Sequence, residues 1–194
     1  MLRIILALFC LSSSPGFAQA MLDVNAFYLE KEEQRSSNDG TQTYEYTNQQ
    51  LFFGLGICFQ TDVWCFGGKY LRGEIGGKNH SGLLDGSVEL EGFGVSAGYV
   101  GAPFFAQLTY FIEAEKRYGD GGLGGDTNEE YPAETAYMLD IGYGFNVGSI
   151  FFGPNLKWFQ FKYTQRTLNG QTQSLLRTEK DIYLMPMFSM WTFF

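Results

Sequence analysis

The chain has 194 residues, of which 45% are hydrophobic and 18% aromatic, and a formal net charge of −8. That acidic excess argues against a basic face for nucleic acid or anionic lipid. No stretch approaches the eighteen or so consecutive apolar residues of a membrane helix, so a chain of this length makes one domain with a sizeable core and can enter a membrane only as strands.

Residues 1–20 read as a signal peptide. Arg3 gives a short positive region, Ile4 to Leu11 an apolar stretch too short to span a bilayer, and Ala18-Gln19-Ala20 a small-x-small cleavage pattern. Cys10 follows bulky Phe9, where a lipoprotein signal wants a small residue, so lipidation is not expected. Residues 21–194 form the mature domain, more acidic still once Arg3 is lost.

Beyond residue 20 the apolar residues alternate with period two rather than 3.6, in segments of roughly ten residues. Eight strands are predicted, at 22–31, 44–58, 63–75, 88–100, 104–116, 135–146, 150–164 and 178–194. In the fifth, Phe104, Ala106, Leu108, Tyr110 and Ile112 share a face opposite Gln107, Thr109 and Glu113. In the sixth, Tyr137, Leu139, Ile141, Tyr143 and Phe145 oppose Met138, Asp140, Gly142, Gly144 and Asn146. Connections alternate in length: "SSNDGTQT", "GKNHSGLLDG", "YGDGGLGGDTNEEYPAE" and "QRTLNGQTQSLLR" are long and polar, whereas "FQTD", "GAP" and "VGS" are tight.

Long loops on one rim and short turns on the other predict an all-β fold, an eight-stranded antiparallel up-and-down transmembrane β-barrel. Bulk gives the orientation. One face carries Gly54, Gly56, Gly67, Gly94, Gly98, Gly142, Gly144 and Gly153, small enough for a crowded interior; the other carries Phe53, Leu55, Trp64, Phe66, Phe93, Leu108, Ile141 and Phe152, suited to lipid. Aromatic girdles are expected at two heights: Trp64, Tyr99, Phe104, Tyr143, Phe152 and Phe194 toward the turns, and Tyr28, Tyr44, Tyr46, Tyr70, Tyr137 and Tyr163 toward the loops.

The inward face is expected to hold a polar network of Asp23, Lys69, Glu113, Asp140 and Lys157, because a buried lysine needs a carboxylate partner. Cys58 and Cys65 bracket a tight turn and are placed to bridge across it in an oxidising compartment; the alternative is two unpaired small apolar side chains. Pro154 and Pro186 each remove a ladder donor, and Pro186 falls within a strand.

The last strand ends in Phe194, with Met190, Phe188, Pro186 and Leu184 on its face and Thr192 as the polar exception. It resembles the terminal strand of small eight-stranded bacterial outer-membrane barrels of the outer-membrane protein A and X type, and the wider outer-membrane β-barrel domain group. The resemblance covers the whole mature chain. It implies an outer-membrane location in a Gram-negative bacterium, contact with membrane lipid and lipopolysaccharide, delivery to the barrel assembly machinery through that strand, and a monomer. A structural or surface-interaction role follows, with the lumen plugged by side chains.

Three other readings carry their own features. Some related barrels modify lipid A with a histidine-activated serine; here "NHSG" supplies only His80 and Ser81, with Asp85 nearby, on a loop and with side chains pointing apart, so no catalysis is expected. A soluble lipocalin-like binder would reverse the apolar faces, and a channel would need room that eight strands scarcely leave. Glycine-rich "GDGGLGGD" is a single copy without stacked repeats, and one histidine without a ligand cluster makes no metal site; neither metal nor cofactor is expected.

Overall fold

A computed structural model describes residues 19–36, 43–79, 86–119 and 129–194. These form nine strands and no helix: β1 (Gln19–Ser36), β2 (Thr43–Thr61), β3 (Trp64–Asn79), β4 (Gly86–Gly101), β5 (Phe104–Gly119), β6 (Glu129–Tyr143), β7 (Phe145–Val147), β8 (Ile150–Leu168) and β9 (Gln171–Phe193). All pair antiparallel in one sheet that closes in a ring, with β1 against β9. The ninth strand is a division of the predicted sixth. β6 and β7 both pair with β8 in one continuous register, from Gly142↔Asn155 to Phe145↔Phe152, so the ring has eight staves, one of them broken at Gly144.

Both prolines sit at interruptions that alternation explains. In an antiparallel ladder, residues take turns bonding to the strand on either side. Gly144 N donates to the Pro103 carbonyl at 2.8 Å, so even residues of β6 face β5 and odd residues face β8. Tyr143 therefore looks toward Pro154, which has no N–H to give, and the stave breaks there. At the closing seam, Ala20 and Phe194 exchange two bonds of 2.9 Å, so even residues face across it. The ladder runs to Ala26↔Phe188 and stops just where Pro186 would have to donate to Tyr28. Toward β8 the odd residues of β9 bond, so the β8–β9 ladder passes Leu156↔Pro186 undisturbed.

Alternation sets the two faces. Phe53, Leu108, Ile141 and Phe152 all point outward and are 36–57% exposed. So do Tyr28, Trp64, Tyr99, Phe104, Tyr143 and Phe194, all exposed, and the half-buried Tyr70 and Tyr137 lie on the same outward series. Tyr163 corrects the girdle expectation, because it is fully buried inside the ring. The side chains of Tyr44 and Tyr46 lie outside the described residues.

The interior also corrects an expectation. It is not merely small and polar, for Phe52, Phe105, Phe111, Phe159, Phe161 and Trp191 fill it together with the glycines. Four of these rings occupy the space a glycine leaves. A Cβ on Gly73 would stand 2.2 Å from Phe52, on Gly92 2.7 Å from Phe111, on Gly142 2.3 Å from Phe105 and on Gly144 2.2 Å from Trp191. Large beside small fills the narrow bore.

The fourth long connection is not a loop. β8 and β9 continue to Leu168↔Gln171 and turn through Asn169 and Gly170, with φ of 49° and 77°. Two left-handed residues in a two-residue connection suit an Asn-Gly hairpin turn, whose twist matches that of the strands it joins.

Gly73→Ala should lower the stability of the folded protein in urea titrations by about 1–3 kcal/mol, the usual effect of overpacking. Gly68→Ala, whose Cβ would meet nothing nearer than 3.6 Å, should stay within about 0.5 kcal/mol of wild type.

Candidate functional site

The interior is layered. Near the turns, Met21, Val100, Phe105, Phe151 and Trp191 pack around Cys58 and Cys65. These cysteines form a disulfide, with Cα atoms 5.7 Å apart across the turn between β2 and β3. Toward the loops, Phe52, Phe111, Phe159, Phe161 and Tyr163 make a larger aromatic cluster with Met138, Met185 and Met187. A polar layer separates the two.

Strand register builds that layer. Asp23 and Asn25 come from β1, Lys69 from β3, Ser96 from β4, Gln107 and Thr109 from β5, Asp140 from β6, Asn155 and Lys157 from β8, and Ser189 from β9, all buried. Pairing brings Gln107, Asp140 and Lys157 side by side, while Lys69 crosses the bore over Gly56, where a Cβ would come within 3.1 Å of its side chain. Lys69 and Lys157 both bond Asp140 Oδ2, and Lys69 also lies 3.2 Å from Asp23 Oδ2. Asn25 donates to the same Asp23 oxygen at 3.0 Å, and Asn155 donates to Ser189 Oγ at 2.7 Å. Two carboxylates face two ammonium groups, so the layer carries no net charge. That balance is what makes burial of four ions tolerable.

Four of the five residues assigned to the network from sequence converge here. Glu113 does not: it is exposed on the outer face. Its displacement comes from a bulge, where β4–β5 pairing passes from Phe93↔Glu113 to Gly94↔Phe111 and leaves Ile112 as the extra residue. Ile112 and Glu113 both lie outward, and alternation resumes with Ala114 and Lys116 pointing in.

The same bulge creates a second cluster that sequence reading missed. Lys116, buried at the loop-side mouth, stands over the rings of Tyr163, Tyr131 and Tyr118 at 4.6, 4.9 and 5.4 Å. Its ammonium pairs with Asp181 at 3.0 Å and Glu179 at 3.6 Å. A cation inside a tyrosine cage with carboxylates alongside is held by ring quadrupoles and charge together. Alternation read from sequence runs unbroken through Ile112 and Glu113, so it gave no signal of the bulge.

The remaining sequence candidates give no further chemistry. His80, Ser81 and Asp85 lie outside the described residues, as does most of the glycine-rich segment. Among the described residues no group of three or more metal-ligating side chains forms. Thr192, the polar exception in the last strand, donates to the Ser149 carbonyl at 3.0 Å and ties that strand to the β7–β8 turn. No family model matches this chain, and no curated protein sequence matches it.

Asp140→Asn would leave two buried lysines facing one carboxylate and should destabilise the folded protein by about 3–5 kcal/mol in urea unfolding. Adding Lys157→Met to Asp140→Asn should recover part of that loss, so the double variant should unfold at higher urea than Asp140→Asn alone.

Proposed function

We propose that this ring is an outer-membrane β-barrel, inserted in lipid through its outer face, with a structural or surface-interaction role exercised at its acidic loop-side rim. The observation that carries the reading is the outward face itself. Apart from Thr192, the outward series of each stave is apolar through its middle and becomes polar within one step: Tyr28 to Glu30, Leu51 to Gln49, Tyr70 to Arg72, Phe93 to Glu91, Ile112 to Glu113, Tyr137 to Thr135, Trp158 to Gln160 and Ile182 to Lys180. A water-soluble barrel has no use for an apolar belt around its whole circumference, since exposed apolar patches on soluble proteins are local. Hydrocarbon does, and a ring of strands satisfies nearly all its backbone groups internally.

The tyrosines at the upper edge fit the same environment. Tyr28 donates to Glu30, and Tyr70 donates to Glu91 at 2.7 Å, so each ring lies on the apolar side while its hydroxyl reaches the first carboxylate above it. The strands, of 15 to 23 residues apart from β7, exceed the roughly 9–11 residues a tilted membrane strand needs. The excess carries the sheet past the belt on the loop side.

Within the ring, packed side chains support a plug rather than a pore. A secreted lipocalin-like carrier is disfavoured by the belt, and a lipid-modifying enzyme has nothing behind it beyond His80 and Ser81. Cell fractionation tests the reading: the chain should stay in the outer-membrane pellet through alkaline carbonate washing and dissolve only in detergent, whereas recovery from periplasm or medium would overturn it. In planar bilayers the purified barrel should add no single-channel steps above background.

A further inference from the structure

The ladder that closes the ring is far shorter than its neighbour. β1 pairs with β2 along all 18 of its residues, but with β9 only as far as Ala26↔Phe188. Above that point β1 and β9 run on without pairing to each other. The opening begins within the apolar belt, because Leu184 and Ile182, the next outward residues of β9 after Pro186, are still apolar and exposed. Leu29, on the inward series of β1 just above this point, is 45% exposed.

A cavity of about 540 Å³ lies at this place. Its walls include outward-facing Tyr28 and Phe188 and also Phe27 and Met187, which belong to the interior cluster. The space is thus a groove on the outer face whose floor reaches side chains of the interior cluster. Behind Phe27, the rings of Phe52, Phe159 and Tyr183 lie 5.1–6.3 Å from one another, so what separates the apolar groove from the apolar interior is side chains rather than a paired strand.

We propose that the seam between β1 and β9 is a lateral portal that receives an acyl chain from a lipid of the loop-side leaflet; this rests on the membrane reading above. Continuity with the lipid-facing belt brings hydrocarbon to the opening. The character of its two lips selects against a polypeptide: Pro186 on one and the charged run Glu30-Lys31-Glu32 on the other are devices that keep a further strand from adding to a sheet edge. An acyl chain asks for no hydrogen bonds and finds apolar side chains throughout.

The test places a photoreactive p-benzoylphenylalanine in the full mature chain folded into vesicles of phosphatidylethanolamine and phosphatidylglycerol, with adducts identified by mass spectrometry. Phe27→p-benzoylphenylalanine reports the portal, Phe188→p-benzoylphenylalanine the outer surface, and Phe111→p-benzoylphenylalanine the interior behind a paired wall. Lipid adducts at positions 27 and 188 but not at 111 are expected. Pro186→Ala, which restores the missing donor, should cut the adduct at 27 about fivefold and leave that at 188 unchanged. Adducts at 188 alone would overturn the portal and leave the membrane reading standing; none at either 27 or 188 would overturn both. A peptide adduct at 27, or lipid adducts at 27 that ignore Pro186→Ala, would also reject it.

Discussion

A sheet that closes on itself must supply a partner for every backbone N–H and C=O from its own neighbouring strands, and the departures from that rule organise this molecule. Two of them fall at Pro154 and Pro186, and the parity of the ladder assigns each to one side. Pro154 withholds a donor from β6 and divides one stave in two. Pro186 withholds one from β1 while leaving the β8–β9 rungs around it in register. Neither residue weakens the wall generally. Pro154 interrupts a stave that resumes at once, whereas the β1–β9 ladder ends at Pro186, so the two defects differ in reach.

Inside that wall, space rather than polarity decides most positions. The bore is too narrow for a ring on every strand, and a neighbouring glycine makes room for each of Phe52, Phe105, Phe111 and Trp191. Packed layers above and below then take water away from the ions between them, which is why Lys69, Lys157, Asp23 and Asp140 must neutralise one another. The mouth cluster around Lys116 solves the same problem nearer solvent, with tyrosine faces supplementing the carboxylates.

Period-two alternation made the strands and their outward face legible, because one face of every strand is apolar for the whole height of the belt. It made the interior less legible. Alternation separates residues into two sets without saying how those sets fill a cylinder, so the pairing of glycine with aromatic rings went unread. A bulge defeats it outright: one extra residue at Ile112 sends Glu113 outward and Lys116 inward. Tyr163 was misplaced because polar residues near a strand end suit either a rim or a mouth. The Asn169-Gly170 turn was legible in principle, but the polar residues flanking it read as loop. The four converging ions were found because a charge on an otherwise inward-facing series has few places to go.

The brevity of the closing ladder also bears on the order in which the molecule assembles. Adjacent strands meet across short connections, and the Asn-Gly hairpin aligns β8 with β9 from its own tip. β1 and β9, by contrast, join opposite ends of the chain, where the entropy lost on meeting is greatest. The most distant encounter thus earns the fewest bonds. Hairpins should therefore form first, with closure of the cylinder as the final event in maturation and the first to reverse under stress.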